Sequence, residues 1–481
     1  MGKSALKDKT AKGLFWGGLS NGVQQLLQAA FGLYLARMLT PGDYGLVAML
    51  AVFSLSAQTI QEGGFVSALI NRKEYRAEDY NSVFWFNILI SLLCYAILFS
   101  AAPLIARFFH QPVLTKLARW SFLGFVLCGL GTAQRAYLTK RLMVKELAIT
   151  NIVAIAVSGL VGVYLAWKGF AYWTLVIQSL VMMGLTTLGY WLFSSWKPSF
   201  RITFQPVKEM FRYAMVLLAT GLLVIVNNYL MTLVLGRYYS TEETGYYSQS
   251  SKWYMMGNSV LIGMIGSVAQ PVLVEVSDDR SRQLRVFRKM MRFAAFVAFP
   301  AMLGLGFIAP EFISFFLTDK WAASIPLLQI LCIGGAFIPM TTLCSNLVLS
   351  KGKSKVHMRV NLLLLAALLL AAFLLYPFGI RWMVVGITVI NALMLLVWVL
   401  TMHREIGYTV GGALGDVLPF LGIALLSIGA AYLLTKGVSV VWLRMLLKIV
   451  FTVLVYVLIM WISQSVTFKD SIIFVKERIK H

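Results

Sequence analysis

Long apolar stretches recur along almost the whole chain, separated by short polar connections. A helix needs about 20 apolar residues to cross the hydrocarbon core of a bilayer, and each stretch has roughly that length. The pattern therefore predicts an all-α integral membrane protein with about 14 transmembrane helices, and we expect no folded soluble domain. The predicted spans are 13–36, 44–69, 82–106, 115–134, 148–167, 170–193, 211–235, 245–271, 293–317, 323–349, 358–377, 381–402, 415–435 and 440–463.

The composition agrees with a membrane protein. Of the 481 residues, 59% are hydrophobic and 13% are charged, and the mean hydropathy is +0.79. A soluble chain would carry about a quarter charged residues. The four cysteines lie far apart inside predicted spans, so we interpret them as small core side chains rather than disulfides or metal ligands. They are Cys94, Cys128, Cys332 and Cys344.

Basic residues are concentrated in every second connection and in the two termini. Segments 71–76, 135–145 and 280–292 belong to this set, which holds 30 of the 42 lysines and arginines. Basic loops stay on the cytoplasmic side of a membrane, so the alternation places both termini in the cytoplasm and supports fourteen crossings. The net charge of +23 is thus a consequence of topology. We expect anionic lipid headgroups as partners and no nucleic acid.

The stretch LARMLTPGDYGL at 35–46 recurs as LGRYYSTEETGY at 235–246. The same offset pairs other polar residues, and it predicts that spans 1–6 are duplicated in spans 7–12. Six spans is an even number, so the two repeats are parallel, and in transporters of this design the working site lies between the halves. We therefore predict an N-terminal lobe at 1–200, a C-terminal lobe at 201–404, and two appended helices with a cytoplasmic tail at 405–481.

The repeated stretch has the pattern of a helix start. In TPGD at 40–43 and STEE at 240–243, a hydroxyl residue is followed three positions later by an acid, as in a capping box. Arg37 and Arg237 then close the preceding spans, where a cation suits both a helix C-terminus and lipid headgroups. The motif is predicted to start spans 2 and 8 and to mark the duplication rather than to form a site.

Four spans in corresponding positions of the two repeats carry polar stripes. Polar side chains inside a membrane are costly and usually face a bundle interior or a wet cavity. The alternative is that the amides only join neighbouring helices, at roughly 0.6 kcal/mol each; for a single amide the two interpretations are equally favoured, but a four-residue stripe favours the cavity. The candidate substrate-binding residues are Asn21, Gln24, Gln25 and Gln28 in span 1, Gln58 and Gln61 in span 2, Asn227 and Asn228 in span 7, and Ser248 and Asn258 in span 8.

Charged residues inside spans are the sharpest candidates. Lys252 lies about two turns into span 8, where it could bind a phosphate or carboxylate, form a structural ion pair, or snorkel to the interface. Glu62 in span 2 could couple transport to a proton or cation, or pair with a basic group. Arg119, shallow in span 4, could add positive potential or snorkel. Three further charged residues are predicted to be interfacial or helix-end features: Glu311, Arg444 and Lys448.

No combination of residues indicates catalysis. GKSK at 352–355 resembles the end of a phosphate-binding loop, but the required earlier glycine is Leu347. The four histidines do not cluster, and no span carries paired carboxylates. We therefore expect a transporter with no catalytic residues, no metal and no cofactor.

Several segments resemble a known family. They are FGLYLARMLTPGDYGLVAM, QEGGFVSALINRKEY, NSVFWFNI, GTAQRAYLTKRLMVKELA, GYYSQSSKWYMM and APEFISFFLTDKWAASIPLLQIL. In this order and spacing the chain, over residues 10–400, is similar to the polysaccharide-transporter family of the multidrug/oligosaccharidyl-lipid/polysaccharide exporter superfamily. Within it, the resemblance is to lipid-linked oligosaccharide flippases of the colanic and teichuronic acid type.

The resemblance implies two six-helix lobes around a central cationic cavity that opens alternately to each side. The ligand would be an undecaprenyl-diphosphate-linked oligosaccharide, carried across the bacterial inner membrane by a monomer that meets the polysaccharide polymerase machinery. Related flippases have a basic residue near the position of Lys252. This chain departs from relatives with several cavity arginines, since its stripes hold one lysine and many amides. With no nucleotide site, an ion gradient, the membrane potential or consumption of product would drive transport.

Two alternatives remain open. The first is an ion-coupled multidrug or small-solute antiporter of the same fold. The second is an integral-membrane polysaccharide polymerase, which the short loops and the missing catalytic cluster disfavour.

Overall fold

The computed structural model describes residues 3–62, 77–200, 205–276, 279–464 and 468–469. Within these ranges the regular structure is helical, with no strand. The chain folds as two compact units, which we name unit 1, residues 1–245, and unit 2, residues 246–481. The lobe boundaries predicted at residues 200 and 404 stay predictions.

Unit 1 is built mainly from long helices that pack around aromatic and aliphatic side chains. Helix α1 packs on α7, α7 on α8, and α9 on α2. One core cluster joins Met49 of α2, Leu117 of α4 and Phe122, all of which are fully buried or nearly so. The helices are α1 Lys3–Met38, α2 Pro41–Glu62, α3 Ala77–Phe108, α4 Leu114–Ser121, α5 Leu123–Gly129, α6 Thr132–Lys140, α7 Val144–Trp167, α8 Tyr172–Phe193, α9 Gln205–Tyr238 and, mostly within unit 2, α10 Thr241–Glu275.

Unit 2 is organised around one long helix. This helix, α11, packs against α12, α16 and α17, and it contributes Phe287 and Phe299 to the buried core. The C-terminal pair α16 and α17 pack closely on each other as well. The helices are α11 Arg280–Phe312, α12 Ser324–Gly335, α13 Ile338–Ser350, α14 Ser354–Leu375, α15 Ile380–Ile406, α16 Val410–Thr435 and α17 Val441–Ile462.

Eleven helical segments of the described residues are long and apolar enough to cross a membrane. Large apolar side chains such as Leu160, Leu192 and Leu433 point outward from them, as lipid-facing residues do. The all-α membrane fold is therefore confirmed. The predicted spans 13–36, 115–134 and 245–271 lie in α1, α4–α6 and α10, which are outside this set, so the number fourteen stays a prediction. The polar stripes make α1 and α10 less apolar, and the breaks leave α4, α5 and α6 each too short to be counted as a span.

The predicted span 115–134 is broken into three short helices. Gly131 N donates to Cys128 O instead of Leu127 O. The freed carbonyl accepts from Thr187 Oγ1 of α8 at 2.8 Å. A backbone oxygen left without a donor is costly in lipid, so the threonine stabilises the break. Gly131 favours this close approach, because a Cβ there would lie 3.0 Å from Thr187 Oγ1, which is tighter than an ordinary contact.

The predicted span 323–349 is broken once, between α12 and α13. Thr388 Oγ1 of α15 donates to Ile330 O at 2.9 Å, in the last turns before the break. Gly334 allows this approach, because a Cβ there would lie 3.0 Å from the backbone Cα of Thr388. Each unit thus has a broken helix in which a threonine of a neighbouring helix lies over a glycine.

Candidate functional site

The polar stripe of α1 lies on one helical face in unit 1. Asn21 and Gln28 are exposed, and Gln24 and Gln25 are half-buried. Gln24 Nε2 donates to Ser20 Oγ at 2.7 Å, so part of the stripe is ordered within the helix. The face combines amide donors and acceptors and could hydrogen-bond a polar ligand.

Helices α2 and α9 bring a second set of predicted residues onto neighbouring helices. Gln58 of α2 and Asn227 of α9 are half-buried, and Asn228 is exposed. The two helices approach closely, because a Cβ on Gly221 would lie 2.9 Å from Thr59 Cγ2. Two further predicted residues lie in the last turn of α2, but their side chains are outside the described residues: Gln61 and Glu62.

Lys252 lies on α10 and has an aromatic neighbour. Its Nζ is 5.7 Å from the centroid of the Trp253 ring, and its side chain is half-buried. No carboxylate of the described residues lies within ion-pair distance of this ammonium. Among the described residues, therefore, no acid forms the structural ion pair that was one of the alternatives for Lys252. Ser248, one turn earlier, is also half-buried.

Asn258, two turns beyond Lys252, faces the interior of unit 2. It is 4% exposed. A Cβ on Gly335, at the end of α12, would lie 2.7 Å from its Nδ2. Neither amide atom has a hydrogen-bond partner among the described residues. Asn258 therefore lies beside the break between α12 and α13.

Arg119 of α4 is held by an aromatic ring. Its guanidinium carbon is 4.4 Å from the centroid of Phe99, and no acid among the described residues pairs with it. A cation–π contact leaves the guanidinium hydrogens available for an anion.

Glu311, predicted from the sequence to be a helix-end feature, is a buried acid that joins α11 to α17. Glu311 Oε1 lies 2.8 Å from both Arg444 Nε and Lys448 Nζ. Lys448 Nζ also donates to Phe307 O at 3.3 Å. The i, i+4 spacing of the two cations was a usable signal, but nothing in the sequence connects them with an acid so far away.

A second buried acid, Asp416, joins α11 to α16. Asp416 is fully buried. Arg288 Nε and Arg292 Nε donate to its carboxylate at 2.7 and 2.6 Å. The hydroxyl of Tyr408 also donates, at 3.2 Å. Burial, and then the Asp416 charge, raise the pKa of Tyr408, which lies between two spans, so the phenol stays a donor.

Both copies of the repeated motif form the predicted capping box. Thr40 N donates to Asp43 Oδ2 at 2.9 Å, and Asp43 N donates to Thr40 Oγ1 at 3.3 Å. Ser240 N donates to Glu243 Oε2 at 3.2 Å, and Glu243 N donates to Ser240 Oγ at 3.1 Å. The reciprocal bonds satisfy backbone N–H groups at the starts of α2 and α10. This prediction is confirmed.

The two copies of the motif also meet, and the contact lies within unit 1. A Cβ on Gly45 would overlap the carbonyl oxygen of Thr241, and a Cβ on Gly245 would overlap that of Pro41. The first turns of α2 and α10 therefore touch backbone to backbone. Nearby, Arg237 Nη1 donates to Phe108 O at 2.5 Å and joins the end of α9 to the end of α3.

The comparisons with known proteins agree with this architecture. A family model described as "Polysaccharide biosynthesis protein" matches residues 34–326. Lipopolysaccharide biosynthesis protein WzxC of Escherichia coli K12 is 26% identical over 365 residues, 74% of this chain and 73% of that one. Teichuronic acid biosynthesis protein TuaB of Bacillus subtilis 168 is 24% identical over 347 residues, 71% of each chain.

A solved structure shows the same fold over nearly the whole chain. Lipid II flippase MurJ in an inward closed conformation superposes with a TM-score of 0.75 at 16% identity. The match covers 95% of this chain and 99% of that one. Together with the sequence comparisons, it confirms the resemblance and the all-α membrane fold, whereas the number of fourteen helices and the parallel repeat stay predictions.

Proposed function

The chain belongs to the polysaccharide biosynthesis protein family, whose model it matches over more than half its length, and we propose that it is a flippase for surface polysaccharide biosynthesis. It moves an undecaprenyl-diphosphate-linked oligosaccharide from the cytoplasmic to the outer leaflet. The names of WzxC, TuaB and MurJ support the substrate class. The protein acts as a transporter and not as an enzyme. It lies in the bacterial inner membrane as a monomer, with both termini cytoplasmic.

The observation that carries the proposal is the ammonium of Lys252. It lies in a helix that continues from a capping box, has an aromatic neighbour, and has no carboxylate partner among the described residues. An ionisable side chain in such a position marks a ligand pathway, because its burial is costly without a function. A diphosphate provides the complementary charge.

The amide stripes contact the glycan in this proposal. Sugar hydroxyls both donate and accept, and so do amides, whereas arginines only donate. Asn21 and Gln28 are exposed on α1 and are the most accessible members of the set. Arg119 adds a cation held by Phe99. The remaining members are Gln24, Gln25, Gln58, Gln61, Asn227, Asn228, Ser248 and Asn258.

Transport proceeds by alternating access between the lobes 1–200 and 201–404, with 405–481 appended. A parallel repeat of this kind moves as two bodies around its binding site. Glu62 is the candidate that couples transport to an ion. Membrane lipids surround the polyprenyl tail, and the polysaccharide polymerase machinery receives the product.

The test is translocation of a fluorescent undecaprenyl-diphosphate-linked oligosaccharide in proteoliposomes by the Lys252→Ala variant. A hydrogen bond to a charged group contributes about 1.5–3 kcal/mol, so we expect roughly a 10- to 100-fold lower rate. Lys252→Arg should retain part of the activity.

Lys168→Ala is the matched control, since Lys168 also lies over a tryptophan ring, at 4.9 Å from Trp167, but at the end of α7. A folded Lys252→Ala protein with the wild-type rate would contradict the role of this residue. Dye efflux by the wild type, with no translocation of the lipid-linked oligosaccharide, would favour the antiporter instead.

A further inference from the structure

Three polar groups within one turn of α10 have no hydrogen-bonding or ionic partner among the described residues. Gln249 is 1% exposed, and both of its amide atoms are unpaired. Trp253 is also buried, and its indole N–H has no acceptor. Lys252 lies between them in sequence and has no acid partner. Gln249 is therefore a neighbour of both Lys252, at i+3, and Trp253, at i+4, on the helix surface.

Within this turn of the helix, the serine next to Gln249 is paired. The adjacent Ser250 is fully buried and donates to Tyr246 O at 2.8 Å and to Ser324 O at 2.9 Å. The ring of Trp253 packs edge to face on Phe312, at 5.1 Å between centroids. Packing around α10 therefore satisfies Ser250 but not these three groups, and each of them calls for an explanation, since buried polar groups in native proteins are almost always paired.

The chemistry of the three groups matches an oxyanion. An ammonium, a carboxamide N–H₂ and an indole N–H are all donors, and phosphate oxygens accept from each. One helical turn is about 5.4 Å long, so donors at its two ends can each reach one phosphate of a diphosphate. A single lysine, as a point charge, does not distinguish a diphosphate from a monophosphate.

We propose that Gln249 and Trp253 complete the Lys252 site, so that three donors on one turn of α10 select a diphosphate over a monophosphate. This inference rests on the proposed function and deepens it. Gln249 is covered in the present conformation. Ligand entry therefore requires a change of rotamer that turns the amide toward Lys252.

The experiment measures binding of farnesyl diphosphate and farnesyl monophosphate to the full-length protein in detergent. Gln249→Leu removes the amide, and Trp253→Phe removes the indole N–H while keeping an aromatic ring. We expect each to weaken diphosphate binding roughly 3- to 10-fold, the range of one hydrogen bond, and to change monophosphate binding less.

The matched control is Gln134→Leu in α6 of unit 1. Gln134 is fully buried, and both of its amide atoms are also unpaired among the described residues. Gln134→Leu should leave both affinities unchanged. Both leucine variants should keep or raise the Tm, because each removes a buried unpaired amide.

The outcomes separate the inference from the proposed function. If Gln249→Leu and Trp253→Phe bind the diphosphate as the wild type does while Lys252→Ala does not, the inference is wrong and the function stands. Equal losses for both ligands would also overturn the selectivity. If the wild type binds no prenyl diphosphate, the proposed function fails together with it. Should Gln249→Leu not fold, Trp253→Phe alone decides.

Discussion

The broken helices of the two units are built alike and closed differently. In unit 1, Thr187 lies over Gly131, and in unit 2, Thr388 lies over Gly334. Each threonine donates to a carbonyl just before the break. The pairs are separated along the chain by nearly the same offset as the two copies of the repeated motif, which supports the proposed duplication.

The two breaks differ in whether the carbonyl that accepts from the threonine has lost its helical N–H donor. In unit 1, Leu127 O has lost its helical donor, since Gly131 N donates to Cys128 O. Trp191 Nε1 then donates to Leu130 O at 2.7 Å on the same side. In unit 2, Gly334 still lies inside α12, so its N–H can remain bonded to Ile330 O, and the threonine adds a second donor.

The break in unit 2 also has a polar neighbour, Asn258. Asn258 lies against Gly335 with both amide atoms unpaired among the described residues. The break of unit 1 is thus closed by hydrogen bonds from α8, whereas the break of unit 2 keeps unused donors and acceptors. The comparison teaches that the two breaks share a backbone arrangement although the side chains around them differ.

The largest effect is expected where the two copies touch. Gly45→Ala and Gly245→Ala each place a Cβ on a backbone oxygen, that of Thr241 or of Pro41, which cannot yield without moving a helix. Both should destabilise by more than about 4 kcal/mol and abolish monodisperse protein in fluorescence-detected size-exclusion chromatography.

Gly42→Ala is the control for this contact, because its nearest neighbour would be 3.6 Å away, an ordinary contact distance. If one of the two glycine variants is tolerated while the other is not, the two copies are not equivalent at their contact.

A smaller effect is expected in unit 2, at the acid that joins α11 to α17. Glu311→Gln leaves Arg444 and Lys448 without their counter-charge, and breaking such a buried pair costs about 3–5 kcal/mol. The free energy of unfolding in detergent, measured by denaturant titration, checks this. Glu242→Gln, at an exposed residue of α10, is the control, and an equal effect of both would refute a structural role for Glu311.

The smallest effects on stability are expected from replacing the two threonines at the breaks, and they should differ in size. Thr187→Val leaves Leu127 O without a donor and should cost about 1–3 kcal/mol. Thr388→Val leaves Ile330 O with its helical donor and should cost about 0.5–1 kcal/mol. Thermal unfolding of the two variants side by side measures the difference. A larger loss for Thr388→Val would reverse the comparison.

The sequence predicts the helices and their starts well, because both are local. Apolar stretches define membrane helices through length alone, and the reciprocal bonds of Thr40 with Asp43 follow from a three-residue spacing. The break near Gly131 is not predictable in this way, since a glycine in an apolar stretch is equally compatible with a continuous helix. The bond that stabilises the break comes from Thr187, far along the chain.

The site is less predictable than the fold. Lys252 is visible in the sequence because a cation inside a span is rare. Gln249 carries no charge and lies near the start of span 8, where a polar residue is ordinary. The unpaired state that singles out Gln249 is a property of packing. The association of Glu311 with Arg444 likewise needs the tertiary structure, because the two residues lie on α11 and α17.

The contact between Gly45 and Gly245 has the symmetry of an association between identical molecules. Residue 45 meets residue 241, and residue 245 meets residue 41, so the same patch occurs on both sides and each copy is complementary to itself. That reciprocity defines an isologous interface, the kind that relates two subunits of a dimer about a two-fold axis. One chain here contains both sides of the contact, so a substitution in either copy changes only one of its two halves.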